Sequence, residues 1–183
     1  GSPEDGMGHW GWIPQHCLKG GEWKKAYSEQ NETLSVNVDS LWVGANGATN
    51  TMRGTSQCQF LSYEQDISAF SGSSLHLIIH DELPRADIYR ENRIRTLDTG
   101  GQIYTAFTPP DEIGQSRADV SWFYDEVYEP GRAHKPGFET IVLHTEQNRI
   151  IQAKELAELI ATMTDEQREV RLHGNFLHLS GVI

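Results

Sequence analysis

The run Leu75-His76-Leu77-Ile78-Ile79-His80 is compact and apolar and ends abruptly at Asp81-Glu82, with Pro84 just beyond. A short apolar run of this kind is the profile of a buried strand in a parallel sheet. Parallel strands need a crossover, and the sequence supplies one. Ala86 to Leu97 carries Ile88, Tyr89, Ile94 and Leu97 at near-helical spacing, between Pro84 at its start and Gly100-Gly101 past its end. Gln102 to Phe107 reads as the next strand, stopped by Thr108-Pro109-Pro110.

The same alternation continues. Val120 to Val127 predicts a helix, Phe138 to Leu143 a final strand, and Ile151 to Met163 a helix with Leu156, Leu159 and Ile160 on one face. Thr164-Asp165-Glu166-Gln167 has the form of a capping box that opens a last helix to about Leu172. Strand, helix, strand, helix, strand, helix implies an α/β fold with a parallel sheet. Ahead of it, residues 1–32 read as a loop-rich segment with one short helix, anchored by Trp10, Trp12, Ile13, Trp23 and Tyr27. Leu34, Val36 and Val38 alternate with polar residues between Thr33 and Val43, which predicts a strand with one buried face. Gly44 to Gly54 reads as a turn-rich loop, Gln57 to Tyr63 as the hairpin partner of that strand, and Glu64 to Phe70 as a short helix.

Composition narrows the function classes. The 183 residues carry 15 Lys and Arg against 26 Asp and Glu, a net charge of −11, which weakens any model in which the whole surface coats nucleic acid and leaves room only for a local basic strip. An apolar fraction of 37% and five Trp are incompatible with an acidic disordered tail. Cys17 and Cys58, alone in the sequence, cannot build a zinc ribbon or a disulfide framework, and read as free thiols in a reducing compartment. No stretch reaches the roughly 18 apolar residues of a membrane helix, and no export signal is apparent. Gly1-Ser2 has the look of a cleaved-tag remnant.

The chemistry is expected at the ends of the strands. In an open α/β sheet, ligands bind outside the carboxyl edge. Adjacent acids there suit nucleotide hydrolysis: Asp81 would hold Mg²⁺ through its water shell, and Glu82 would orient and deprotonate the attacking water. Thr108 would bring a hydroxyl to the same edge, where it could sense a γ-phosphate.

At this point the sequence resembles the ATPase domain of the large terminase subunit, the motor that packages DNA into tailed-phage heads. Gln57 to Tyr63 is similar to the strand ahead of the acidic motif, Phe70-Ser71-Gly72 to the family's Phe-x-Gly, and Leu77 to Glu82 to its Walker B strand. Tyr89-x-Glu91 with Arg95, the coupling strand from Gly100-Gly101 to Thr108-Pro109, and Arg171-Leu172-His173-Gly174-Asn175-Phe176 follow in the family's order. The resemblance implies a P-loop NTPase-type (ASCE) parallel-sheet core. That core is incomplete here, because no Gly-Lys pair exists in the sequence and the P-loop strand and helix are missing. It implies a division into residues 1–32, an ATPase-type part over 33–174, and the start of a linker to an absent nuclease domain over 175–183. Implied cofactors are ATP and Mg²⁺, and implied partners are double-stranded DNA, the portal protein and the small terminase subunit, in the cytoplasm of a bacterial host. The isolated chain is expected to hydrolyse ATP negligibly and to self-associate through an uncompleted sheet.

Two other readings compete. A helicase-like ATPase would show several Arg residues after the Thr-Pro strand, and they are not seen; a binding or assembly protein with a degenerate NTPase fold needs no catalysis at all. Of the remaining residues, His76 and His80 would lie about 13 Å apart along a strand, too far to share one ion, and His80, immediately before Asp81, reads as a packing or hydrogen-bonding residue. Arg85, Arg90, Arg93 and Arg95 make the helix after the acids the most basic stretch, but Asp87, Glu91 and Asp98 are interleaved as ordinary surface pairs. Trp10, Trp12 and Trp23 read as core or interface anchors rather than base-stacking residues.

Overall fold

The computed structural model describes residues 13–43, 49–110 and 117–176. The chain divides into two compact units, Gly1–Gln65 and Asp66–Ile183. The fold is mixed α/β, with an antiparallel sheet of three strands in the first unit and a parallel sheet of two strands in the second, among the described residues.

In the first unit the short helix α1 (Trp23–Ala26) leads into β1 (Tyr27–Ser28), which pairs with β2 (Thr33–Val43). Strand β2 then pairs antiparallel with β3 (Thr49–Gln59) from Thr33↔Gln59 to Val43↔Thr49. The ladder corrects the expected loop over 44–54: residues 49–54 are strand, and Gly54 sits opposite Val38. A long cross-strand partner outweighs the weak β-propensity of Asn and Gly. Residues 60–63, expected as strand, lie past its end. Leu18, Ala26 and Leu34 form the core, covered by Trp23, Tyr27, Val36 and Phe60, with the Trp23 and Tyr27 rings stacked at 5.0 Å. Burial fades along β2, so the predicted apolar face is buried at Leu34 and already exposed at Val38. Trp10 and Trp12 lie outside the described residues.

The second unit opens with a 3₁₀ turn over Ile67–Phe70, capped by the Asp66 carboxylate, which accepts from the Ser68 amide at 2.9 Å. Strand β4 (Leu77–Asp81), helix α2 (Ala86–Arg95) and strand β5 (Gln102–Ala106) follow, and β4 and β5 pair in parallel from Leu77↔Gln102 to Asp81↔Ala106. The helix buries Ile88, Tyr89 and Asn92; full burial of one such apolar side chain contributes about 1.5–3 kcal/mol. Gly101 is dictated by contact: a Cβ there would stand 2.4 Å from the Leu75 carbonyl oxygen and 2.8 Å from that of His76. The β4 strand is not buried on both faces as expected. Ile78 and His80 face inward, whereas Leu77 and Ile79 on β4 and Tyr104 on β5 are exposed.

Helix α3 (Arg117–Phe123) runs through a π-helical turn (Tyr124–Tyr128) into α4 (Glu129–Arg132). The expected strand over 138–143 does not form. That segment is committed elsewhere: the Thr140 hydroxyl donates to the Tyr128 carbonyl at 3.1 Å, and Thr140 crosses directly over Gly131, where any Cβ would be 2.1 Å from its Oγ1. Its period-two pattern survives as alternating exposure, with Ile141 and Leu143 outward. Helix α5 (Ala153–Thr162) half-buries Leu156 and Ile160 but exposes Leu159. Helix α6 (Asp165–Arg171) has the predicted capping box: the Gln167 amide donates to Thr164 Oγ1 at 3.2 Å, and the Thr164 amide to Gln167 Oε1 at 3.1 Å. No helix among the described residues is long and apolar enough to cross a membrane.

Candidate functional site at the carboxyl edge of the parallel strands

The parallel register decides where the candidate residues stand. Asp81 is level with Ala106, and the Glu82 amide donates to the Ala106 carbonyl at 2.9 Å. Thr108 lies two residues past Ala106, so the acid pair and the hydroxyl leave the sheet at the same end. Asp81, Glu82 and Thr108 are all exposed, while Pro84 and Pro109 behind them are buried and fix both exits. Glu82 has φ +70°, the left-handed region that side chains other than glycine avoid. Such a backbone is costly and persists only where its surroundings impose it; Glu32 and His134 share it, with φ +49° and +51°.

The segments bearing the other motifs are joined to one another or to the end of β5, and the end of α2 is tied to the amino end of β4, where the Leu75 amide donates to the Arg95 carbonyl at 2.8 Å. Ser71 donates to Glu91 Oε1 at 3.0 Å, and Arg95 Nε donates to the same oxygen at 2.9 Å, so Phe70-Ser71-Gly72 is tied to Tyr89-x-Glu91 and Arg95. The two donors hold the Glu91 carboxyl below the usual carboxylate range, the Arg95 guanidinium foremost. Phe176, closing Arg171 to Phe176, packs on Phe107 at 5.8 Å, on Tyr124 at 5.3 Å and on Tyr128 at 4.6 Å. An aromatic cluster therefore surrounds the exit of β5, one residue before Thr108.

The structure agrees with the reading of His80 as a packing and hydrogen-bonding residue. His80, immediately before Asp81, is 3% exposed, and its ring meets Thr105 Oγ1 at 3.0 Å and Asn92 Nδ2 at 2.8 Å. Burial lowers its pKa to about 4, so it is neutral at physiological pH. Both ring nitrogens are engaged, whereas His76 is exposed and lies before the strand. Its particular partners are set by pairing across the sheet and by helix packing, not by local spacing.

Mg²⁺ takes one or two carboxylates and fills its remaining positions with water or phosphate oxygen. Asp81, exposed at a strand end beside Glu82, fits that demand. No group of three or more His, Cys, Asp or Glu among the described residues could hold a metal by itself. Nucleotide phosphates fit less well, since the sequence has no Gly-Lys pair for a P-loop. Three of the four arginines in this basic stretch are in ion pairs, Arg85 with Asp87, Arg90 with Glu126 and Arg95 with Glu91.

Comparison with known proteins gives no significant match to a family model, a curated protein or a solved structure.

Proposed function

We propose that this chain is the later part of a P-loop-type motor ATPase of the terminase large-subunit kind, acting with Mg²⁺ and ATP only when a P-loop is supplied from outside these residues. In this reading Asp81 would hold Mg²⁺, which would supply charge neutralisation for the phosphates, Glu82 would orient the attacking water and accept its proton, and Thr108 would couple the state of the γ-phosphate to movement of β5. Double-stranded DNA, a portal protein and a small terminase subunit are the partners this reading assigns, in a bacterial cytoplasm. The observation that carries it is the common exit of Asp81, Glu82 and Thr108 from two parallel strands, with Glu82 in a strained backbone.

The test has two parts. The isolated chain turns over ATP far more slowly than the ~1 s⁻¹ at the low end for enzymes. In a chain joined to an upstream strand, P-loop and helix, Glu82→Gln binds Mg-ATP but loses hydrolysis. Turnover by the isolated chain, or unimpaired hydrolysis by that variant, removes the assignment.

A second reading, a binding or assembly protein without catalysis, is favoured by the apolar face of Leu77, Ile79 and Tyr104. Parallel sheets are ordinarily covered on both faces. It predicts self-association, read by light scattering across a concentration series. A clean monomer at high concentration counts against it.

A further inference from the structure

We infer that His80, held between Thr105 and Asn92, is a positioning residue that locks the register of β4 on β5 and so sets Asp81 and Glu82 level with the exit of Thr108. The inference rests on the reading of that edge as the site, but the lock itself is a property of the two strands.

Strand register is normally set by which residues face the core, since a slip of one residue turns every side chain to the wrong face. A slip of two residues does not. The inward positions are Ile78 and His80 on β4 and Ile103 and Thr105 on β5, and the outward ones Leu77, Ile79 and Asp81 with Gln102, Tyr104 and Ala106. Moving β5 by two leaves inward residues facing inward and outward residues outward. Apolar patterning therefore leaves two-residue slips open, and the close approach of Gly101 to the Leu75 and His76 carbonyls opposes them only at the amino end of the pair.

The polar pair fixes the register at the carboxyl end, beside the candidate site. His80 and Thr105 are direct register partners. Asn92 Nδ2 donates to His80 Nε2 at 2.8 Å, leaving Nδ1–H to donate to Thr105 Oγ1 at 3.0 Å. A two-residue slip puts His80 opposite Ile103 or Phe107, neither of which has a side chain that accepts a hydrogen bond. The buried ring then keeps an unsatisfied N–H, which is costly away from water. Asn92 adds the third side by tying the same ring to helix α2, so strand register and helix position are set together. A displacement of two residues carries Thr108 about 7 Å along the strand relative to Asp81, enough to dismantle a site that needs both.

The test reads register directly, without nucleotide. In a background with Cys17→Ser and Cys58→Ser, three pairs of outward cysteines report the three registers. Ile79→Cys with Tyr104→Cys reports the register described here, Ile79→Cys with Gln102→Cys one slip, and Ile79→Cys with Ala106→Cys the other. Disulfide yield on air oxidation should favour the first pair by about tenfold or more. Thr105→Val keeps the shape and removes the hydroxyl, and should shift yield toward a slipped pair. Thr105→Ser should restore it. His80→Leu is the stronger perturbation, and Thr105→Val carries the test if that variant does not fold. A general loss of stability would lower all three yields together, so an unchanged ratio in folded Thr105→Val overturns the inference. The site reading is checked separately by Mn²⁺ broadening of NMR signals around Asp81, abolished in Asp81→Asn. Loss of register control with no Mn²⁺ effect keeps the lock and removes the metal site.

Discussion

Acidification should destabilise the second unit through one residue. His80 is 3% exposed, and burial brings its pKa down from 6.5 to about 4. As pH falls below 6.5 the unfolded chain takes up a proton that the folded chain refuses, so stability is lost. The contribution is fully present above pH 6.5 and declines until the folded ring also protonates near pH 4. By linkage the loss is about 2 kcal/mol at pH 5 and about 3 kcal/mol at pH 4. That is a large share of the ~5–15 kcal/mol that holds an ordinary domain together. Urea denaturation of wild type and His80→Gln, followed by circular dichroism at pH 7.5, 6 and 5, isolates this residue from the other titrating groups. Glutamine keeps a polar side chain without a proton to gain. The wild type should lose about 2 kcal/mol more than the variant between pH 7.5 and 5. Parallel pH profiles would refute a neutral, buried His80.

Three further outcomes are expected. Gly101→Ala forces a methyl group against the Leu75 and His76 carbonyls and should cost about 1–3 kcal/mol or more in urea denaturation; a neutral effect would mean that the β4–β5 approach is looser than described. Glu82→Gly relieves the left-handed backbone at φ +70° and should raise stability by up to about 1 kcal/mol. A loss instead would show that the side chain, not the site, imposes that conformation. Thr164→Ala removes one arm of the capping box and should destabilise by about 1 kcal/mol, whereas Thr164→Ser should not.

The β4–α2–β5 unit was readable because each signal was local. An apolar run, a Pro before the helix, a Gly pair after it and the Thr164 capping box each act within a few residues. Residues 49–54 were misread because their strand character comes from pairing with β2, and Asn50 and Gly54 give no local hint of it. The opposite holds at 138–143, where alternation is real but Thr140 is held by its hydroxyl to the Tyr128 carbonyl within a helical run and no strand partner forms among the described residues. Nothing local shows that Gly131 leaves room for Thr140. Asp81, Glu82 and Thr108 could be named from strand ends. Their common exit depends on parallel pairing, and the His80–Thr105 contact joins residues 25 positions apart.

The tight approach at Gly101 limits what evolution can do with this chain. A β-strand, helix and β-strand that close on each other this way admit one amino acid where the second strand begins, and pair a histidine before the acids with a hydroxyl four residues after that glycine. Distant relatives that have drifted beyond overall similarity would still have to keep His80, Asn92, Gly101 and Thr105 in step, with the helix length between them conserved. These four positions and their spacing give a compact fingerprint for tracing the lineage of the fold through sequences that otherwise share little.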